Sequence, residues 1–216
     1  MRDAVLAFLG GLAAAVAVVA IIGSDEITVT QAFGIALPVQ VAGTIGVLAM
    51  LAPRRPPWRR ALAVGFRPID LVGLAIGVGA QLVVGMIVFL IVEVLEVDLP
   101  TQDVVEEAAD AAGGFENLLV FVGAVILAPI AEELVFRGIL LRALLHRGRR
   151  FAIGVSGVVF GLVHLLDPNA WVAVPFLAAL GVVLGYQTVR TGRIGMAIMT
   201  HAGFNLVTAL VVLLGA

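Results

Sequence analysis

The chain has 216 residues, 62% of them hydrophobic and 13% charged, with a formal net charge of -2. A soluble domain is nearer half apolar and a quarter charged, and a nucleic-acid binder carries a basic field, so this balance excludes both classes. With no cysteine there are no disulfides, no thiol nucleophile and no thiolate metal site.

The apolar residues fall in long runs. A bilayer-crossing helix needs roughly 20 of them. The first run, 4–22, reads as a retained helix rather than a cleaved signal peptide; it is long for a signal core, and Ser24-Asp25-Glu26 suits a short turn. The second run is 30–51, with Pro38 expected to kink it. A basic, proline-rich loop follows at 53–60, where Trp58 suits the headgroup level. The third run, 69–97, carries Gly73, Gly77 and Gly85 as small helix-contact positions.

Residues 98–114 are acidic, and Glu106, Glu107 and Asp110 share one side of a short surface helix with a solvated face. The fourth run, 115–145, exceeds one straight crossing, so it tilts, bends at Pro129 or projects from the membrane. The remaining runs are 152–166, 171–189 and 194–214. The fold class expected is therefore all-α, a polytopic bundle of seven to eight membrane helices in one domain. Residues 1–114 carry no motif, and 115–210 form the core that does.

Arginines at 2, 54–67, 142–150 and 190/193 occupy alternate connections, while Asp25/Glu26, the acidic segment and Asp167 occupy the others. Seven crossings with a cytoplasmic N-terminus place every arginine except Arg137 inside. The Ala, Val, Gly and Arg bias points to a prokaryotic plasma membrane.

Ionisable groups within apolar runs are costly and signal a use. Glu132, Glu133 and Arg137 lie in the fourth run, Phe160 and His164 in the fifth, and His201 and Asn205 in the last. Adjacent glutamates on a helix point about 100° apart, so Glu132 and Glu133 have different jobs. Glu133 and Arg137, four apart, pair and are structural; Glu132 has no local partner and is the candidate base. His146 sits in the basic connection and reads as solvated.

The ordered set Glu132-Glu133-x-x-x-Arg137, Phe160-x-x-x-His164 and His201-x-x-x-Asn205 resembles the CPBP family of intramembrane proteases, over roughly residues 115–210. That family includes the CAAX prenyl endopeptidases and Abi-type proteins linked to bacteriocin handling. The resemblance implies that glutamate and histidine activate water and that the last pair binds the oxyanion.

The residues themselves allow this division. No lysine is present, and Ser156 has no base partner. Glu132 can take a proton from water, His164 can hold that water and protonate the leaving amine, and His201 with Asn205 can donate to the oxyanion. Glu133, Arg137 and Phe160 support them. A second route uses the same residues: Glu132, His164 and His201 as zinc ligands, with the metal acidifying the water. No cofactor is favoured, and zinc is the alternative.

The expected partners are a peptide or lipidated protein substrate and membrane lipid, with no nucleic acid. Counting residues from the cytoplasmic arginines puts His201 shallower than His164, so convergence requires a tilted or bent helix. Two other functions use the same composition: a proton-relaying transporter, against which there is no repeated half, and a non-catalytic bacteriocin-immunity protein.

Overall fold

The computed structural model describes residues 10, 31–51, 62–97, 99–100 and 114–214. The first apolar run, the basic loop at 53–60 with Trp58, and most of the acidic segment including Glu106, Glu107 and Asp110 lie outside the described residues. Every regular element among the described residues is helical.

The helices follow the apolar runs: α1, Leu37–Leu51; α2, Val72–Leu95; α3, Gly114–Arg147; α4, Arg149–Leu166; α5, Val174–Thr191; α6, Gly195–Leu214. Four spans are long and apolar enough to cross a membrane: Pro68–Leu95, Gly114–Arg147, Arg149–Leu166 and Gly195–Leu214. The exposed side chains of α2 include Leu82, Val83, Met86 and Phe89, as expected of a lipid-facing surface. The chain is an integral membrane protein.

The long helix α3 is continuous but not regular. Two π-helical stretches, Val122–Leu127 and Leu134–Leu141, flank a short α segment, Ala128–Glu133. Pro129 lacks the N–H that would bond four residues back, and the wide turn before it absorbs that loss: the Ala128 N–H bonds to the Gly123 carbonyl five residues earlier. Thirty-four residues span on the order of 45–50 Å, well beyond a hydrocarbon core of about 30 Å.

Pro38 lies within a helical stretch that runs unbroken from 31 to 51, just after a π-helical turn at Ala32–Ala36.

The packing is set by close approach. Helix α2 lies along α6, and α4 along α5. A Cβ on Gly73 would stand 2.6 Å from the Met196 carbonyl oxygen, and one on Gly77 would overlap that of Thr200. These two glycines let the α2 and α6 backbones touch. Gly85 does not share that role: nothing lies within 4 Å of its would-be Cβ.

The apolar core draws Val135 and Phe136 from α3, Phe160 from α4, Leu177, Leu180 and Leu184 from α5, and Ala197 and Phe204 from α6. The polar groups of α3, α4 and α6 lie against this core.

Candidate active site

Glu133 and Arg137 are both fully buried and form the expected pair, Arg137 Nη1 donating to Glu133 Oε1 at 2.9 Å. Arg137 Nη2 donates to the Gly181 carbonyl of α5 at 3.0 Å. Gly181 has no side chain for a reason: a Cβ there would meet Gly157 of α4 at 2.8 Å and Arg137 Nη2 at 3.2 Å. The guanidinium also lies over the Phe160 ring, 4.4 Å from its centroid. Arg137 thus ties α3 to α5 through a hydrogen bond and to α4 through a cation–π contact.

Glu133 has a second partner. His201 Nδ1 stands 3.1 Å from the same Oε1 that Arg137 holds. The other ring nitrogen, Nε2, lies 3.9 Å from Glu132 Oε2. One imidazole therefore stands between the two adjacent glutamates, its opposite edges facing different carboxylates. The roughly 100° between neighbouring side chains is what lets them approach the ring from two sides. The assignment of Glu133 as a partner of Arg137 alone was too narrow, because a contact 68 residues away in sequence leaves no local trace.

The two carboxylates differ in access. The Glu133 side chain is 0% exposed and that of Glu132 is 31% exposed. Glu132 Oε2 is nonetheless buried with no hydrogen-bond partner in the protein. At 3.9 Å the His201 contact is too long for a direct hydrogen bond. Glu133 Oε2 is likewise buried without a partner, so the two carboxylates are distinguished by access and by the Arg137 and His201 contacts to Glu133 Oε1.

Phe160 is fully buried and its ring is the common neighbour of the site. It meets Phe136, His164 and His201 edge-on, at centroid distances of 5.2, 5.2 and 5.4 Å. His164 and His201 thus reach one ring from α4 and α6, so the depth mismatch counted along the sequence is resolved in the bundle. His164 Nδ1 lies 2.8 Å from the Phe160 carbonyl. A carbonyl only accepts, so Nδ1 carries the proton and the neutral ring presents Nε2 as a lone pair.

Asn205 is one turn beyond His201 on α6. Its Nδ2 donates to the Ala124 carbonyl in the π-helical part of α3 at 2.8 Å. That carbonyl belongs to a stretch where the regular ladder is disturbed. Ser156 gives its hydroxyl to the Phe136 carbonyl at 3.1 Å, which fits its exclusion as a nucleophile.

Glu132, Glu133, Arg137, Phe160, His164, His201 and Asn205 thus come from three helices to one region. Glu132, Glu133, Arg137 and His201 form a connected charge cluster, His164 joins through the Phe160 ring, and Asn205 joins through α3. Among the described residues, no group of three or more His, Asp or Glu side chains is placed to hold a metal ion. Both histidines turn Nδ1 to other partners and keep Nε2, the nitrogen a metal-binding imidazole held in this way would use. The residue missed by sequence reading is Asp70, whose ion pair with Arg193 pins the start of α6; its partner is too distant in sequence to suggest the contact.

Comparison with known proteins follows the same segment. Residues 114–207 match the sequence profile of the type II CAAX prenyl endopeptidase Rce1-like family. A Bacillus subtilis (strain 168) protein, described as "Uncharacterized protein YyaK", is 37% identical over 93 residues, covering 38% of this chain and 31% of that protein. The chain therefore spans about a third of that relative's length. No solved structure matches the chain. The matched segment holds all three motifs together with the helices that bring them to one place, and over that segment the chain is similar to the CAAX prenyl endopeptidase family.

Proposed function

We propose that this protein is an intramembrane endopeptidase that hydrolyses a peptide bond in a membrane-associated or lipidated peptide without a metal. The observation that carries the reading is the contrast within the glutamate pair. Glu133 is 0% exposed with Oε1 held by Arg137 and His201, whereas Glu132 is 31% exposed and stands 3.9 Å from the far nitrogen of that imidazole.

Glu132 takes a proton from water as the oxygen attacks the carbonyl carbon. His164, with Nδ1–H fixed by the Phe160 carbonyl, accepts from the same water at Nε2. The carbonyl oxygen becomes an oxyanion and is met by His201 and Asn205. Asn205 has a second amide hydrogen to offer beside the one given to Ala124. His201 offers Nε2–H only as the doubly protonated ring, since Nδ1 is already turned to Glu133. Such donors, fixed beforehand, are worth about 3–4 kcal/mol each in comparable sites. Collapse breaks the C–N bond, and the proton taken from water passes to the leaving amine through His164. The products are a carboxylic acid and an amine, which exchange a proton to leave as carboxylate and ammonium, so mass and charge balance.

The match of residues 114–207 to the CAAX prenyl endopeptidase family supports a prenylated or otherwise lipidated peptide as substrate. A prokaryotic plasma membrane with the N-terminus inside remains our reading of the arginine distribution.

The test is cleavage of a farnesylated CAAX peptide, and of a panel of lipidated and transmembrane peptides, by purified protein in lipid. Glu132→Gln should abolish turnover while leaving the melting temperature within about 2 °C, because it removes a charge but no hydrogen bond. Full activity in that variant would end the proposal. Proton flux in vesicles, lost in the same variant and without any cleavage, would favour a transporter instead.

A further inference from the structure

The non-helical segment from Leu62 to Arg67 is wedged between the two helices that carry the charge cluster. On one side, the Leu62 carbonyl lies so close to α3 that a Cβ on Gly138 would approach it to 3.1 Å. On the other, the Ala63 carbonyl accepts from the Ile194 N–H at 2.9 Å, just before α6. Ala63 is buried and holds a left-handed backbone, φ 55°, which costs a residue with a Cβ about 1 kcal/mol or more and persists only where the surroundings enforce it. A Cβ on Gly195, the first residue of α6, would stand 2.6 Å from both the Gly65 carbonyl and Asp70 Oδ2.

Asp70 closes this segment. Its side chain is 0% exposed, and Arg193 Nη2 donates to Oδ1 at 2.6 Å while Nε donates to Oδ2 at 2.8 Å. The Arg67 N–H also donates to Oδ2 at 2.8 Å. Arg193 Nη1 donates to the Thr191 carbonyl at 3.2 Å, which fixes the guanidinium plane. A two-point arginine–carboxylate contact fixes orientation as well as distance.

We propose that residues 62–70 form a strap setting the spacing of α3 and α6, with the Asp70–Arg193 pair as its clasp and Asp70 as a positioning residue for His201. Gly138 lies five residues past Glu133, and His201 six past Gly195. At about 1.5 Å per residue, both anchor points are some 8–9 Å along their helices from the Glu133–His201 contact. A helix is stiff over that length, so a shift of α6 at Arg193 is carried to His201. A slide of about 1 Å would stretch the 3.1 Å contact past hydrogen-bonding range, and misplacement of that size costs up to 100-fold in rate.

Only the cleavage arm of the test rests on the proposed protease activity. The chain has three histidines, so protein labelled with 15N-histidine gives three imidazoles, assignable with His146→Gln and His164→Gln. Asp70→Asn and Arg193→Lys should each move the His201 Nδ1 resonance and leave that of His164 in place. On a farnesylated CAAX peptide, both should lower kcat about tenfold or more with KM within about twofold. Gln81→Leu is the control: it removes the Gln81–Thr208 hydrogen bond between α2 and α6 and should change neither signal nor rate. If Asp70→Asn does not fold, Arg193→Lys carries the test, since it keeps the charge and loses only the two-point grip. Unmoved His201 resonances in a folded variant, or equal movement with Gln81→Leu, would overturn the strap. Wild-type protein that cleaves nothing would instead count against the protease reading, and the histidine resonances would still decide the clasp.

Discussion

Replacing Arg137 by methionine should be among the most damaging single changes in this protein. The side chain is 0% exposed, and so is that of Glu133, which it neutralises at 2.9 Å. Removing one member of a buried pair leaves the other charge stranded, at a cost of about 3–5 kcal/mol. The Gly181 carbonyl loses its donor, and the cation–π contact over Phe160 at 4.4 Å, worth about 1–2 kcal/mol when dry, disappears. Methionine recovers some packing, so a net loss of about 4 kcal/mol is expected. For a chain of this size that lowers Tm by roughly 8–16 °C. Circular dichroism melts in detergent measure it. The double variant Glu133→Gln/Arg137→Met should regain about half of the loss, because no charge is then stranded. A single variant melting within about 2 °C of wild type, or a double variant with strictly additive losses, would refute the view that this pair is a coupled, water-free unit.

Two further outcomes follow from the packing. Gly77→Ala drives a methyl group into the Thr200 carbonyl of α6, so it should cost about 1–3 kcal/mol and also disturb His201 one residue on. Gly85→Ala meets nothing within 4 Å and should be neutral or stabilising by up to about 1 kcal/mol; equal melts for the two would contradict the close α2–α6 contact. Phe160→Ala removes the fully buried ring that Arg137, His164 and His201 share. It should cost about 3–5 kcal/mol, and Phe160→Leu should recover most of the stability but not the rate; recovery of both would show that the ring's edge contacts to the histidines are unimportant.

Much of the architecture can be read from local pattern. Apolar runs of bilayer length predict the helices, and α2 to α6 fall on them because a buried backbone in lipid has no other way to satisfy its polar groups. The pair Glu133–Arg137 and the turn-spaced Phe160–His164 and His201–Asn205 are also legible, since four residues on a helix bring side chains to one face. Finer placements fail where a neighbour decides them. Gly73 and Gly85 look alike as sequence, yet only the first has α6 against it. Pro38 and Pro129 each stand just after a π-helical turn that no local pattern announces.

By itself, then, the sequence determined that this is a lipid-embedded helical protein with seven polar and aromatic residues set at helical spacing where water is scarce, because hydropathy and periodicity are properties of neighbours along the chain. Only the tertiary structure decided which glutamate is sealed and which is reachable, that one imidazole stands between both, and that Asp70 grips Arg193 across 123 positions. Those are distances between separate helices, fixed by how close glycines let backbones come and by where a buried charge finds its counter-charge. No local spacing encodes either.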